Sequence, residues 1–225
     1  MQAVVPEGLV EEHGPKRKLT TILCADCAGF SRMMRADEEG TYRVLQDCRK
    51  LIDRLIGEHD GRIFGTAGDS VVAEFPSPVE AVRCATEIQQ AIERLGTEFP
   101  EDHRMHFRIG INIGDVMIEA DDLIGDGVNV AARLQGLSDP GGICISGTVY
   151  EQIKNKLMLA CDDLGDQIVK NIADPVRVHR VRLGRPAAPR PETTRIATAR
   201  RIGLAAGHFL TPAAILTPCP GRTNA

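Results

Sequence analysis

The sequence predicts an α+β domain in which an antiparallel sheet carries helices on one face. Apolar runs of strand length alternate with two long segments of helical periodicity, in the order β-α-β-β-α-β. Glycine and proline separate these runs, and an apolar fraction of 43% is typical of a protein with a packed core. Each element has its own local signal along the chain.

The first strand and the first long helix have the clearest patterns. The strand is predicted at residues 19–25, an apolar run suited to a buried position. Asp37 is placed to cap the helix, which Gly61 ends. Apolar residues recur along this helix at the spacing of a single buried stripe, and they are Val44, Leu45, Cys48, Leu51, Ile52, Leu55 and Ile56.

A hairpin and a second long helix follow. The hairpin strands are predicted at residues 62–66 and 70–75, joined by Ala67, Gly68 and Asp69. Ser77 begins a capping-box pattern that ends at Glu80 and has proline at the first helical position. The predicted buried stripe of this helix is Val82, Ala85, Ile88, Ile92 and Leu95.

A strand at residues 105–113 completes a ferredoxin-like βαββαβ unit, and the later elements are predicted to be C-terminal additions to it. After this strand, Gly114 leads into a further apolar run. The additions are that run at 116–118, a helix at 128–137, a strand at 143–146, a short helix at 148–154 with a Thr148/Glu151 capping box, and a strand at 176–183.

The ends of the chain differ in composition from its centre. Residues 1–17 are predicted to be a flexible leader, residues 18–183 the domain, and residues 184–225 a disordered tail rich in proline, arginine and alanine. The tail has six arginines and one acidic residue, so its charge of +5 leaves −9 for residues 1–183. Because nucleic-acid binders need a basic surface, this acidic body argues against a nucleic-acid partner.

The chain is expected to be cytoplasmic, and association with a membrane is not expected. No basic and then apolar run stands at the N-terminus, and the apolar stretch at 202–218 is interrupted and too short to span a bilayer. The seven cysteines are an odd number and are scattered along the chain, which is typical of reduced thiols.

Two aspartates carry the strongest chemical signal. Asp26 and Asp69 each follow a strand-like run and stand beside glycine or other small residues, where backbone N–H groups remain free. Paired carboxylates can hold Mg²⁺, and free N–H groups can receive phosphate oxygens. The pattern indicates a two-metal site for phosphoryl transfer.

Five segments, in order, resemble the signatures of the class III nucleotidyl cyclases, the catalytic domains of adenylate and guanylate cyclases. The resemblance runs from about Lys18 to Leu183 and is closest to bacterial members. The segments are ADCAGFS at 25–31, GDSVVAEF at 68–75, GDGVNVAAR at 125–133, PGGICIS at 140–146 and VKNI at 169–172.

The resemblance implies a phosphorus–oxygen lyase that serves intracellular signalling. In this family the ribose 3′-oxygen of a nucleoside triphosphate attacks the α-phosphorus, and pyrophosphate leaves. The resemblance assigns two Mg²⁺ or Mn²⁺ ions to each site. Their implied ligands are the carboxylates of Asp26 and Asp69, assisted by the backbone carbonyl of Cys27.

Other site residues are implied in the same way. The turn of Gly29, Phe30 and Ser31 matches the segment that contacts phosphates through N–H groups. Asn129 and Arg133 match the catalytic pair, in which asparagine orients the ribose and arginine meets charge on the α-phosphate. Lys170 matches the lysine that neutralises the outer phosphates. Within the family these last three residues and the base-reading residues come from the second chain, so a homodimer with shared sites is implied.

The choice of base depends on two positions. Asp122 matches a base-reading position, and its carboxylate could accept a hydrogen bond from the adenine amino group, which favours ATP. Adenine-specific members commonly have a lysine four residues before the second metal aspartate, where this chain has Gly65. ATP is therefore the favoured substrate, and GTP stays open.

Three alternatives to a nucleotidyl cyclase can be weighed, and the sequence argues against the last two. Gly65 favours a catalytically weak, cyclase-like domain that binds nucleotide or dimerises to regulate another protein. An RNA-recognition module would share the sheet topology, but it needs aromatic strand positions, and only 4% of this sequence is aromatic. A diguanylate cyclase hairpin would need a second glycine and a following acidic residue, which are absent around Asp69.

Overall fold

The computed structural model describes residues 16–119, 122–168, 172 and 174–186 of the protein. Its centre is the predicted βαββαβ unit, with one additional short helix after the first strand. The elements of this part are β1 (Lys16–Cys27), α1 (Phe30–Ala36), α2 (Glu38–Glu58), β2 (Arg62–Ala67), β3 (Ser70–Phe75), α3 (Pro78–Gly96) and β4 (Phe107–Glu119).

These four strands lie in the order β2-β3-β1-β4, and every neighbouring pair is antiparallel. This order confirms the ferredoxin-like prediction. The additions extend the sheet beyond β4 in the order β6-β8-β7, with β4 and β6 parallel, while β5 pairs with β4 outside that path. They are β5 (Asp122–Ile124), α4 (Asp126–Leu137), β6 (Ile143–Ser146), α5 (Gly147–Ile153), β7 (Leu159–Gln167) and β8 (Val176–Pro186).

The alternation of side chains along β1 defines two faces of the sheet. Leu23 and Ala25 pack into the large cluster that includes the buried stripes of α2 and α3, which we call the α2/α3 cluster. Ile22 and Cys24 pack on the opposite face with Ala131 of α4, in what we call the α4 cluster. Asp26 continues the alternation of Ile22 and Cys24, so it lies on the face that α4 covers.

Both predicted helical stripes are confirmed. On α2 the buried residues include all of the predicted ones except Leu51, which packs against the core while partly exposed. On α3 the same holds, with Leu95 as the partly exposed member. The Asp37 side chain accepts a hydrogen bond from the Gly40 N–H group, so the predicted cap of α2 is also present.

Glycines allow α4 to approach the sheet closely. A Cβ atom at Gly110 on β4 would lie 2.2 Å from the Ala131 carbonyl oxygen. A Cβ atom at Gly114 would lie 2.5 Å from the Cα atom of Gly127, at the start of α4. Larger residues would push the helix off the sheet, so the backbone position of α4 depends on these contacts.

Local capping differs from two predictions. The Thr148/Glu151 capping box is wrong, because Ser146 precedes α5 and its Oγ accepts a hydrogen bond from the Val149 N–H group. The helix α3 begins at Pro78 as predicted, but the Ser77 side chain makes no capping hydrogen bond. In that helix the proline at the first position sets the start.

Strand boundaries also differ from the predictions. The runs at 105–113 and 116–118 belong to one strand, β4, because β1 pairs with it over twelve successive residues. The strand β7 was not predicted, since it is an acidic segment with two register shifts and a glycine at positive φ, Gly165. Its pairing with β8 depends on the tertiary fold and not on apolar alternation.

Most of the predicted leader and tail lies outside the described residues. The described part begins with β1 at Lys16 and ends with β8 at Pro186. Of the helices in this part, none combines the length and the apolar character needed to cross a bilayer.

Candidate active site

The two predicted metal aspartates lie on adjacent strands. Asp26 is the penultimate residue of β1, so it lies in the strand itself and not in the turn that the sequence suggested. Asp69 lies in the two-residue turn between β2 and β3. Because β1 pairs with β3 up to Ala25 and Val71, this turn reaches the end of β1. The sheet therefore brings the two residues together.

Two hydrogen bonds cross between the aspartates. The Cys27 N–H group, next to Asp26, donates to Asp69 Oδ2 at 3.0 Å. The Ser70 hydroxyl, next to Asp69, donates to Asp26 Oδ1 at 2.8 Å. Each carboxylate is thus held by the chain segment that carries the other one. The site is braced within a single chain.

Charge around the pair is uneven. Burial and the neighbouring Asp26 charge raise the pKa of the Asp69 carboxyl above its usual range. On the other side, Arg108 of β4 stands opposite Asp26 in the strand register, and its Nη2 lies 3.2 Å from Asp26 Oδ2. Arg108 thus offsets part of the negative charge of Asp26. The raised pKa of Asp69 means that the charged form of this carboxylate is disfavoured, and a bound cation would stabilise it.

The donor set fits Mg²⁺ or Mn²⁺ better than zinc. Burial, with a smaller effect of Asp69, raises the pKa of the Cys27 thiol to about 12, so this sulfur stays protonated. Over the described residues, no three His, Cys, Asp or Glu side chains are grouped to hold a metal. Mg²⁺ is commonly held by one or two carboxylates together with substrate phosphates. Asp26 and Asp69 supply the carboxylates for such an arrangement.

The predicted phosphate-contacting turn is partly helical. Gly29 adopts a left-handed conformation, with φ of 77°, and α1 begins directly after it at Phe30. The first N–H groups of a helix have no acceptor within the helix. Phe30 packs against the α2/α3 cluster, while Ser31 is exposed. The N–H groups of Phe30 and Ser31 therefore stand at the start of a helix that follows Asp26 in the chain, a position where a helix can receive an anion.

The predicted catalytic pair, Asn129 and Arg133, lies on α4. The buried residues of α4 are Gly127, Ala131 and Leu134, which face the sheet. Asn129 and Arg133 are exposed on the outer side of the same helix. Among the described residues, no hydrogen bond or ion pair joins either side chain to Asp26 or Asp69. Within one chain, the two parts of the predicted site are therefore not linked by direct polar contacts.

The base-reading positions lie in neighbouring elements. Gly65 is in β2, and a Cβ atom added there would meet no heavy atom within 4 Å. The strand β5, which contains Asp122, contacts β2, and Leu123 shares the α4 cluster with Phe64. Positions 65 and 122 thus lie in neighbouring strands in the folded structure. The side chain of Asp122, and Lys170 as a whole, lie outside the described residues.

Ser70 and Arg108 complete the environment of Asp26, and the sequence analysis did not single them out. Ser70 follows Asp69 directly, so its proximity to a metal ligand could have marked it. Arg108 is 82 residues from Asp26 in the chain. Only the register of β1 against β4 brings them together, and no local pattern encodes that register.

Comparison with known proteins defines the class. Residues 14–181 match the family model described as the adenylate and guanylate cyclase catalytic domain. The match covers well over half of the chain. The protein therefore belongs to this family and carries a class III nucleotidyl cyclase domain, with metal and nucleotide binding typical of that family.

Curated relatives agree with this assignment. The chain is 43% identical over 164 residues to putative adenylate cyclase 3 of Rhizobium meliloti, a match that covers 72% of this chain and 28% of that protein. It is 28% identical over 161 residues to an adenylate cyclase of Anabaena cylindrica, covering 63% of this chain and 32% of the relative. The chain thus spans about a third or less of these relatives.

Solved structures show the same fold. An adenylate/guanylate cyclase/hydrolase from Silicibacter pomeroyi has 42% identity and a TM-score of 0.71, with 76% of this chain and 100% of that chain covered. The adenylyl cyclase CyaB from P. aeruginosa has 25% identity and a TM-score of 0.69, with 76% and 97% covered. These matches place the described domain in the bacterial type.

Proposed function

We propose that this protein is an adenylate cyclase that converts ATP to 3′,5′-cyclic AMP and pyrophosphate for intracellular signalling. The observation that carries the proposal is the cross-braced pair Asp26 and Asp69, combined with the outward-facing Asn129 and Arg133. The 43% identity to a relative described as a putative adenylate cyclase supports ATP as the substrate.

The half of the site that contains Asp26 and Asp69 binds the metal ions and the phosphates of the substrate. Asp26 and Asp69, with the Cys27 carbonyl, would hold two Mg²⁺ or Mn²⁺ ions, which would supply activation of the 3′-hydroxyl and charge neutralisation for the triphosphate. The Cys27 N–H group and the Ser70 hydroxyl fix the orientation of the two carboxylates. At the start of α1, the N–H groups of Phe30 and Ser31 bind phosphate oxygens and orient the chain of phosphates.

The second half of the site comes from another copy of the protein. Arg133 binds the α-phosphate oxygens, where negative charge grows during attack, and Asn129 holds the ribose so that its 3′-oxygen points at the phosphorus. Their i, i+4 spacing places both on one exposed helix face. Lys170 neutralises the outer phosphates. A two-fold homodimer gives two equivalent sites of this kind.

Adenine selection rests on Asp122, since Gly65 has no side chain to read the base. The carboxylate of Asp122 accepts a hydrogen bond from the adenine amino group and faces the guanine carbonyl unfavourably. The open space around Gly65 can admit a lysine. We therefore expect Gly65→Lys to raise kcat/KM for ATP relative to GTP, measured with both substrates at saturating metal.

Product analysis tests the function directly. Purified full-length protein is incubated with ATP and, separately, with GTP in the presence of Mg²⁺ or Mn²⁺, and the products are separated by chromatography. We expect cyclic AMP as the main product, and none from the Asp69→Asn variant. Cyclic GMP as the main product would replace the proposal with a guanylate cyclase.

Gly65 favours a second candidate, a nucleotide-binding regulatory domain with little turnover. The cost of one missing buried hydrogen bond is about 1–3 kcal/mol, which slows a reaction without abolishing it. The same incubation separates the two functions. If nucleotide binds but neither cyclic product forms with either metal, the regulatory function is favoured.

A further inference from the structure

A second arginine, Arg49 of α2, contacts the turn that carries Asp69. Its Nη2 donates to the Gly68 carbonyl oxygen at 2.9 Å, and its Nη1 donates to the Ser70 carbonyl oxygen at 3.1 Å. These two carbonyls belong to the residues on either side of Asp69. One guanidinium therefore binds the backbone carbonyls immediately before and after Asp69, a proposed metal ligand.

Apart from the Ala67–Ser70 pairing that closes the hairpin and the hydrogen bond from Cys27 to Asp69, the turn is weakly packed. The strand β2 lies at the edge of the sheet, and its pairing with β3 has an irregularity between Ile63 and Gly65. Thr66 and Ala67 at the end of β2 and Gly68 in the turn are exposed, so these residues pack no side chain into the core. Edge segments with few buried contacts open locally at low free-energy cost.

Electrostatic repulsion also acts on the turn. Asp69 faces a second carboxylate, Asp26, and two like charges at short range repel one another. The hydrogen bonds from Cys27 and Ser70 oppose this repulsion at the carboxylates themselves. Without a restraint on the backbone, the turn could relieve the repulsion by moving Asp69 away from β1.

We propose that Arg49 is a positioning residue whose two-point contact with the Gly68 and Ser70 carbonyls holds Asp69 at the separation from Asp26 that a shared divalent cation requires. The inference deepens the proposed function and rests on the same metal site. Arg49 does not touch substrate or metal and acts only through the backbone of the turn.

The contact suits arginine in particular. The guanidinium is planar and presents several N–H donors in a fixed fork, so one side chain can meet two acceptors at once. A lysine has a single nitrogen and would reach one carbonyl well. Arg49 is partly buried, while its neighbour on the same helix, Arg54, pairs with Glu58 on the exposed surface.

Mn²⁺ binding tests the proposal without relying on turnover. Calorimetric titration of the full chain with Mn²⁺ alone is compared for the wild type, Arg49→Ala, Arg49→Lys and the control Arg54→Ala. We expect Arg49→Ala to weaken Mn²⁺ affinity by about 10- to 100-fold, the usual effect of removing a partner that orients a metal ligand. Arg49→Lys should recover part of the affinity, and Arg54→Ala should bind like the wild type.

Hydrogen exchange separates positioning from general stability. In Arg49→Ala we expect faster exchange at the N–H groups around the turn, with a melting temperature close to that of Arg54→Ala. If both Arg49 variants bind Mn²⁺ like the wild type, the proposal is overturned while the metal site stands. If affinity falls only in step with melting temperature, Arg49 is merely structural and the proposal is again overturned. If the wild type binds no Mn²⁺ alone yet forms cyclic nucleotide, Arg49 does not hold the metal site ready and the proposal is overturned. If it does neither, the proposed function fails first.

Discussion

The two halves of the predicted site differ in how the chain holds them. Asp26 and Asp69 are partly buried, and hydrogen bonds from Cys27 and Ser70 fix them in place. By contrast, Asn129 and Arg133 stand exposed on the outer face of α4.

The difference is consistent with the site shared between two chains that we propose. Like charges must be forced together, so the acidic half needs a rigid frame within one protomer. A cationic half needs no such frame if a partner completes it, and an exposed helix face can be presented to that partner. The following predictions test this contrast, beginning with the largest effect.

Asp69→Asn should abolish cyclase activity without lowering stability. Loss of a metal-holding carboxylate removes several kcal/mol of charge stabilisation, roughly a 10³-fold loss of kcat. The amide oxygen can still accept from the Cys27 N–H group, and the unfavourable charge beside Asp26 is gone. We therefore expect a melting temperature equal to or above that of the wild type, measured by calorimetry.

The pH dependence of this variant follows from the raised pKa of Asp69, which has burial as its main cause and Asp26 as the next. Asp69 holds its proton more tightly in the native state than in the unfolded chain. Above the raised pKa the charged carboxylate therefore lowers the free energy of unfolding of the wild type. Any gain in melting temperature should shrink as pH falls through that value. Asp115→Asn, which removes an exposed partner of Arg17, is the control and should retain activity. A clear loss of stability in Asp69→Asn would contradict the strained arrangement.

Arg133→Ala should lower kcat by roughly 10²-fold or more, as for the loss of a donor to a developing oxyanion. Because Arg133 is exposed, we expect its melting temperature and its Mn²⁺ affinity to match the wild type. Arg43→Ala provides a matched control, since Arg43 is an exposed arginine that pairs with Glu39 on α2. Weakened Mn²⁺ binding in Arg133→Ala would place this arginine in the metal half of the site.

Mixing the two inactive variants should restore activity. A dimer of one Asp69→Asn chain and one Arg133→Ala chain has one site with both defects and one site with neither. With random exchange, half of the dimers are mixed, so about a quarter of the wild-type activity should return. Co-expression of differently tagged chains ensures that mixed dimers form. Activity that stays at the level of the single variants would rule out a site shared between chains.

Ser70→Ala should have the smallest effect. It removes the hydroxyl that donates to Asp26 Oδ1 but leaves Arg108 beside the same carboxylate. Loss of one such hydrogen bond costs about 1 kcal/mol, or roughly five- to tenfold in kcat/KM. Steady-state kinetics over a range of Mn²⁺ concentrations measures it. An effect as large as that of Asp69→Asn would mean that the hydrogen bond from Ser70 to Asp26 is as important for activity as the carboxylate of Asp69.

The βαββαβ unit and its two long helices could be predicted from the sequence, whereas the short helix α1 and the strand β7 could not. Apolar periodicity located the core-forming stripes of α2 and α3, since a helical stripe is a local property of the chain. Asp26 and Asp69 were recognisable because each stands at the end of a strand-like run in a motif that the family shares. The i, i+4 spacing of Asn129 and Arg133 likewise predicted that they share one face of a helix.

The tertiary structure alone decided which groups surround those residues. Arg108 and Ser70 reach Asp26, and Arg49 reaches the turn, across separations of 82, 44 and about 20 residues in the chain. Such contacts depend on strand register and on the packing of α2, which are global properties that no short window of sequence encodes. Thus the proposed metal ligands could be selected from the sequence, whereas the contacts that hold them in place could only be found in the folded chain.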